Sequence, residues 1–149
     1  MIERIADLWT VPADFRVITT NGTIRSDGRA VMGRGCARQA AEKFHRLPRL
    51  LGERLRRDGN TVHFFHALTI GADVGLYTFP VKHHWMEKAD LALIAASVAV
   101  FAGLLREGAT YVMPRPGCGN GRLRWADVRP LLTTLPDNVV VVHFAGEPD

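Results

Sequence analysis

The chain has 149 residues, of which 47% are hydrophobic, and its formal net charge is +4. This composition excludes a disordered or fibrous protein and predicts one globular domain, residues 1–149, with a substantial core. The mild basic excess permits an anionic ligand or a nucleic acid without requiring either. Two cysteines, Cys36 and Cys118, lack C-x-x-C spacing, which disfavours a zinc site or a disulfide framework.

Hydrophobic patterning predicts alternating strands and helices. The predicted strands cover residues 5–11 (or a strand plus a turn there), 15–20, 61–67, 74–81, 109–113 and 139–144. The predicted helices cover residues 36–45, 47–57, 88–107 and 125–135. The first two strands resemble a hairpin pair, and a polar loop (residues 21–29) follows them. Helix 88–107 carries apolar residues all round its axis and is expected to be largely buried. This order predicts a three-layer α/β/α domain around a mixed, mostly parallel sheet.

The sequence shows no residue pattern typical of a targeting signal. The first nine residues carry Glu3, Arg4 and Asp7 instead of an apolar leader. The most apolar stretch, residues 91–105, is too short to span a bilayer. We therefore expect a cytoplasmic monomer with no membrane partner.

Two glycine-rich stretches each lie between a predicted strand and a predicted helix. The first loop (residues 32–37) is MGRGCA, and the second loop (residues 116–121) is PGCGNG. Glycines let backbone N–H groups approach a ligand closely, and the following helix start adds partial positive charge. Since ligands bind at the carboxyl ends of strands in α/β sheets, the two loops could hold a pyrophosphate in one crevice. A tight strand-to-helix turn is the alternative for either loop.

The loops do not match the common nucleotide motifs. Neither is a Walker A sequence, and neither is a complete GxGxxG with an acidic residue on the next strand. ATP hydrolysis and ordinary dinucleotide binding are therefore disfavoured.

Lys82 follows the strand predicted over residues 74–81, so it belongs to the same edge as the loops. Beside a pyrophosphate it would neutralise charge; beside a sugar carbon it would be a nucleophile if burial or cationic neighbours lower its pKa. The candidate neighbours are His83, His84, Arg34 and Arg115. The alternatives are a solvated lysine and surface or turn histidines, and we expect Trp85 to pack in the fold instead of stacking on a ligand. Asp7 could accept a hydrogen bond from an adenine amino group, or it could simply occupy a turn.

These motifs resemble those of the macrodomains, which are α/β/α modules that bind ADP-ribose. Asp7 and Leu8 resemble the early acidic motif, and residues 17–21 resemble the second strand with the asparagine that ends it. The two glycine loops resemble the two ligand loops of the family. The run FPVKHHW (residues 79–85) is similar to a subgroup that contains the DarG-type antitoxin macrodomains and the human terminal ADP-ribose protein glycohydrolase. The resemblance covers nearly the whole chain.

The resemblance implies a role for each motif. Asp7 would hold adenine, the first loop would wrap the diphosphate, and Asn21 would lie near the distal ribose. The second loop would cradle phosphate and ribose through backbone N–H groups, and Lys82 would act at the anomeric carbon. The implied ADP-ribose-binding residues are Asp7, Leu8, Thr20, Asn21, Met32, Gly33, Gly35, Cys36, Ala37, Pro116, Gly117, Cys118, Gly119, Asn120 and Gly121. No metal or further cofactor is implied.

By the same resemblance, the protein would be a hydrolase that removes ADP-ribose from a DNA nucleobase or a protein carboxylate. Two alternatives are a non-catalytic reader of ADP-ribose and a phosphatase acting on ADP-ribose 1″-phosphate. The human-type enzyme has an aspartate where this chain has Gly121, and the antitoxin type has glycine there. At this position the sequence therefore resembles the antitoxin type. The resemblance does not identify the proton-transfer partner of Lys82.

Overall fold

The strands form a single twisted sheet in the computed structural model, which describes residues 1–66, 68 and 75–149. They are β1 (Ile2–Ile5), β2 (Phe15–Asn21), β3 (His63–Phe65), β4 (Gly75–Lys82), β5 (Tyr111–Pro114) and β6 (Val139–His143). Their order across the sheet is β1-β6-β5-β2-β4-β3, and only the β3–β4 pair is antiparallel among them. The predicted mixed, mostly parallel sheet is confirmed.

Helices cover both faces of this sheet. They are α1 (Gly35–Lys43), α2 (Leu47–Asp58), α3 (Leu91–Leu104) and α4 (Trp125–Leu132). Successive strand residues point to opposite faces, so Val17 joins the core beneath α3 and α4 while Ile18 joins the core beneath α1 and α2. The three layers match the predicted α/β/α arrangement. None of the helices in the described ranges has the length and apolar character needed to cross a membrane.

The prediction of a continuous first strand over residues 5–11 is wrong, whereas the alternative of a strand followed by a turn is closer to the structure. The strand ends at Ile5, and the next residues form a turn in which the Asp7 carbonyl accepts hydrogen bonds from the N–H groups of Thr10 and Val11. β1 and β2 are also not a hairpin pair, because β1 pairs in parallel with β6 and β2 lies between β5 and β4. The edge strand β1 is mostly exposed and therefore lacks the apolar pattern that would identify it.

The prediction that the helix over residues 88–107 is largely buried is also wrong. α3 buries one face through Ile94, Ser97, Val98 and Phe101, while Leu91, Val100 and Leu104 are exposed. It begins later than predicted because Asp90 caps it, with the Asp90 carboxylate accepting from the Ala92 N–H at 2.9 Å. The predicted ends of two other elements, Ala67 and Val74, lie outside the described residues.

The parallel strands determine where a site can form. β1, β6, β5, β2 and β4 all run in the same direction, so their carboxyl ends share one edge of the sheet. Asp7 follows β1 at one side of that edge, and Lys82 ends β4 four strands away. At the usual strand spacing this separation is about 19 Å. The second loop follows β5, between these two positions.

Candidate functional site

A crevice of about 800 Å³ lies along the carboxyl edge of the sheet. Both glycine loops, Asp7 and Lys82 line it, so the structure brings together the residues that the sequence singled out on separate elements. Of the fifteen implied binding residues, all but the buried Pro116 at the start of the second loop are in the lining. A crevice of this size and shape suits an extended nucleotide-like ligand.

The first loop presents the start of α1 to this crevice. Gly35, Cys36 and Ala37 form the first turn of the helix and line the cavity, and the side chain of the preceding residue, Arg34, makes no capping hydrogen bond. Gly35 has φ 59°, a conformation that favours glycine. The N–H groups of this first turn and the helix dipole together favour an anion at this position.

The second loop is held in place by its own backbone. The N–H of Leu123 donates to the Gly117 carbonyl at 2.9 Å, and the N–H of Ala89 donates to the Gly121 carbonyl at 3.0 Å. Among the described residues, no hydrogen bond uses the N–H groups of Gly119, Asn120 or Gly121. A Cβ on Gly119 would meet nothing within 4 Å, so that glycine leaves open space beside the crevice.

The two loops approach each other across the crevice. A Cβ placed on Gly35 would lie 3.1 Å from the side-chain nitrogen of Asn120. Donors from both loops therefore face the same volume. This convergence is what a diphosphate requires, since its two phosphates carry charge on adjacent groups.

Lys82 lies at the end of β4, where its main chain is fixed on both sides. Its carbonyl accepts from the Gly22 N–H at 3.1 Å and from the Asn60 side-chain amide at 3.0 Å. Its ammonium donates to the Trp85 carbonyl at 3.4 Å. Burial lowers the pKa of Lys82, and the charges of Arg122 and Arg34 lower it further. A larger share of this lysine is therefore the free amine at neutral pH than of an ordinary surface lysine.

The predicted cationic neighbours of Lys82 are only partly correct. Arg34 acts on it, but Arg122 is the larger electrostatic contributor and the sequence argument missed it. Arg115 is instead held against Trp125, with the guanidinium carbon 4.9 Å from the ring centre, and lies 3.2 Å from an Asp149 carboxylate oxygen. His83 pairs with Asp90 at 2.7 Å and ties the end of β4 to the start of α3.

Trp85 is placed differently from the prediction that it packs in the fold. Its side chain is 44% exposed and lines the crevice beside Lys82. Its backbone N–H donates to the Thr23 hydroxyl at 3.0 Å, which fixes the position of the residue. An exposed aromatic ring at the mouth of a cavity is free to stack on a ligand.

The opposite end of the crevice contains Asp7 and a segment that sequence reasoning missed. One Asp7 oxygen accepts from the Trp9 N–H at 2.7 Å, and within the described part of the chain its other oxygen makes no hydrogen bond. His143, the last residue of β6, and Phe144 and Glu147, which follow it, line the same end. Phe144 is 60% exposed. The rule that ligands bind at strand carboxyl ends, applied to the predicted strand over residues 139–144, could have identified them.

Asn21 and Thr20 line the crevice, but the Asn21 amide already has two partners. Its nitrogen donates to the Val31 carbonyl at 3.0 Å, and its oxygen accepts from the Thr23 N–H at 2.9 Å. These two bonds fix the polar loop, and they leave the second N–H and the second lone pair of the amide for a ligand. Thr20 is buried.

Both cysteines line the crevice as neutral thiols. Burial raises the pKa of Cys36, although hydrogen bonds from Thr19 oppose the shift. Burial also raises the pKa of Cys118 to about 11. Thiolate nucleophiles are therefore disfavoured, and among the described residues no cluster of three or more candidate metal ligands is present.

Comparison with known proteins places these features in context. No family model matches the chain. It is 30% identical over 122 residues, 76% of the chain, to proteins named DNA ADP-ribosyl glycohydrolase from Mycobacterium bovis and Mycobacterium tuberculosis. The chain spans about a third of the length of these relatives, 35%.

Solved structures resemble the whole fold. The macrodomain of Mycobacterium tuberculosis DarG matches with a TM-score of 0.77 at 25% identity, and 95% of each chain is covered. The macrodomain of Thermus aquaticus DarG matches with a TM-score of 0.74 at 21% identity, covering 95% of this chain and 96% of the other. Thermosipho africanus DarTG, solved in complex with ADP-ribose, matches with a TM-score of 0.73 at 19% identity, covering 91% of this chain and 39% of the other.

Proposed function

The chain is a DarG-like member of the macrodomain family, and from this we propose that it binds ADP-ribose in the crevice and hydrolyses its bond to a modified target. The observation that carries the proposal is the position of Lys82, which ends β4 on the same edge as both glycine loops and shares their crevice. A module that only reads ADP-ribose needs the loops but has no need of an amine at that position.

The two ends of the crevice suit the two ends of ADP-ribose. At the Asp7 end, a carboxylate oxygen without a hydrogen bond in the described structure can accept from the adenine amino group. The diphosphate then lies between the first turn of α1 and the N–H groups of the second loop. The distal ribose extends beyond the second phosphate and reaches the Lys82 end. Binding of ADP-ribose by the DarTG protein of Thermosipho africanus supports this ligand.

We propose that the Lys82 amine is the nucleophile. Its lone pair attacks the anomeric carbon of the distal ribose, the bond from that carbon to the target breaks, and the target leaves with a proton. The ribose ring opens as the carbon–nitrogen bond becomes a Schiff base. Water then adds to the same carbon and releases ADP-ribose, which restores the amine. The lowered pKa of Lys82 supports this role because only the unprotonated amine can attack.

We propose a DNA nucleobase as the target to which ADP-ribose is attached. The similarity to proteins named DNA ADP-ribosyl glycohydrolase supports this choice. A protein carboxylate is the competing target.

The test has two parts measured on the same protein. Calorimetric titration should detect ADP-ribose binding, and turnover should release ADP-ribose from a modified single-stranded oligonucleotide faster than from a peptide modified on a glutamate. Binding without turnover of either substrate would identify a reader. Failure to bind ADP-ribose at all would refute the proposal.

A further inference from the structure

The positive charge of this protein is concentrated in one part of the chain. Residues 21–58 contain ten Lys or Arg and four Asp or Glu, a net charge of +6, whereas the remaining residues contain nine and eleven, a net charge of −2. The overall value of +4 therefore hides a strongly basic segment. Such asymmetry is typical of a surface that meets a polyanion.

Within this segment, four exposed arginines are held together by close backbone packing. The polar loop is an ordered turn in which the Arg25 N–H donates to the Arg29 carbonyl at 2.7 Å, so both side chains leave the same small hairpin. α2 packs directly on its tip, since a Cβ on Gly52 would lie 1.9 Å from the Gly28 carbonyl.

Arg49 and Arg56 lie three and four residues from this contact point on α2, on the same face of the helix. Arg56 reaches the hairpin, with its guanidinium 3.8 Å from the position of a Cβ on Gly28. Among ion pairs between described residues, only Arg29 of these four is paired, with Asp27 at 3.8 Å. We name Arg25, Arg29, Arg49 and Arg56 the arginine cluster; the Asp27 carboxylate, which interacts with Arg25, Arg29 and Arg49, offsets one of its four positive charges.

The arginine cluster lies on the Lys82 side of the crevice. Arg25 and Arg29 line the crevice itself. The polar loop that carries them is joined to the end of β4 by the hydrogen bond from the Gly22 N–H to the Lys82 carbonyl. A hydrogen bond from the Trp85 N–H to the Thr23 hydroxyl also connects the polar loop to the segment after β4. Trp85, which is exposed and also lines the crevice, is therefore tied through its backbone to the loop that carries Arg25 and Arg29.

We propose that Trp85 and the arginine cluster form a binding surface for a single DNA strand that continues from the modified nucleotide. Arginines would contact the phosphates and the tryptophan would stack on a base, which is how proteins hold single strands without reading sequence. The proposal rests on the hydrolase function proposed above and adds the path of the substrate beyond the crevice. A peptide has no repeating phosphates, so this surface would favour DNA over protein targets.

The test compares two substrates of the whole protein: an ADP-ribosylated nucleoside, and the same modified nucleotide inside a single-stranded oligonucleotide. The variant Arg49→Gln with Arg56→Gln changes two residues that do not line the crevice. It should raise KM for the oligonucleotide about tenfold relative to KM for the nucleoside. The dependence of log KM on log salt concentration should become shallower by about 1.4, as two phosphate contacts are lost.

The matched control is Arg4→Gln with Arg106→Gln, which removes the same charge from exposed positions outside the basic segment. It should leave the ratio of the two KM values within a factor of two or so of the original. Trp85→Ala should raise the ratio as the arginine variant does, whereas Trp85→Phe should keep most of the stacking and most of the affinity.

Each component can fail separately. If the nucleoside is hydrolysed but the arginine variant and its control change the KM ratio equally, the strand-binding surface is refuted while the hydrolase function stands. An equal loss on an ADP-ribosylated peptide would also refute it, because the cluster would then not act through DNA. If the original protein hydrolyses neither substrate, the hydrolase function itself fails. The strand-binding surface would still be supported if the original protein binds unmodified single-stranded DNA tightly and the arginine variant binds it weakly.

Discussion

In the second loop Gly117 and Gly121 pack closely against the protein itself, whereas the first loop leaves its glycines almost free. A Cβ on Gly121 would lie 2.4 Å from the Gly117 carbonyl oxygen, and one on Gly117 would lie 2.9 Å from Ile94. In the first loop a Cβ on Gly33 would meet nothing within 4 Å. Glycine thus serves close packing in one loop and open access in the other, although the sequence shows the same residue in both.

Gly119 makes the same distinction inside the second loop. It lies two residues from Gly121, yet the space around its Cβ is empty. The glycines of this loop therefore divide into residues that the fold requires and one that only a ligand would require. Substitutions at the two positions can separate folding from binding.

The largest expected effect is on stability at Gly121. Gly121→Ala places a methyl group against the Gly117 carbonyl and should lower the free energy of unfolding by about 3 kcal/mol. The matched substitution Gly119→Ala should change it by no more than about 0.5 kcal/mol. Chemical denaturation of both variants measures the difference. Equal free energies of unfolding for Gly121→Ala and Gly119→Ala would show that the second loop is not packed as described.

A loss of comparable size, in ADP-ribose affinity instead of stability, is expected at Gly119. Gly119→Val should fold, because the site has room, but its side chain would enter the crevice and displace the ligand from the loop N–H groups. ADP-ribose binding should weaken by about 3 kcal/mol in calorimetric titration. Unchanged affinity in the folded variant would remove the second loop from the binding site.

A smaller effect is expected at the other end of the crevice. Asp7→Ala should weaken ADP-ribose binding by about 1.5–3 kcal/mol if the free carboxylate oxygen accepts from adenine. Asp7→Asn separates this role from the local turn, because its amide oxygen can still accept from the Trp9 N–H while its nitrogen faces adenine with the wrong polarity. If Asn restores full affinity, Asp7 acts only through the turn.

The smallest expected effect is a shift of the pH–rate profile. If the Lys82 amine attacks as proposed, turnover should rise with pH as Lys82 loses its proton. Arg122 lowers the pKa of Lys82, so Arg122→Gln should raise that pKa and move the rise in rate to higher pH. Arg124→Gln, which removes a charge paired with Asp127 instead, is the control. A profile that shifts equally in both variants would exclude a specific effect of Arg122 on the lysine.

Sequence patterns predicted the sheet and both glycine loops because each depends on local residue types. The β-branched run of β6 and the strand–glycine–helix order are visible without any contact. The edge strand β1 was misplaced because an exposed strand has no alternation to detect. The exposed face of α3 was missed because it is apolar yet has no partner among the described residues.

Features that depend on long-range packing could not be read from the sequence. The charge of Arg122 beside Lys82 depends on the backbone of the second loop, where Arg122 has φ 63°. The arginine cluster depends on the close contact between Gly28 and Gly52. The backbone of Trp85 is held by a hydrogen bond from its N–H to the Thr23 hydroxyl, 62 residues earlier in the chain. In each case residues from distant parts of the chain come into contact, and no local sequence pattern predicts that contact.

The central claim is that the Lys82 amine performs the chemistry in a crevice that binds ADP-ribose without it. The most direct measurement is single-turnover release of ADP-ribose from a modified oligonucleotide by Lys82→Ala and Lys82→Arg, with ADP-ribose affinity measured on the same samples. Both variants should bind ADP-ribose nearly normally and lose turnover by orders of magnitude, because guanidinium stays protonated and cannot attack. Full turnover in the alanine variant would contradict the account.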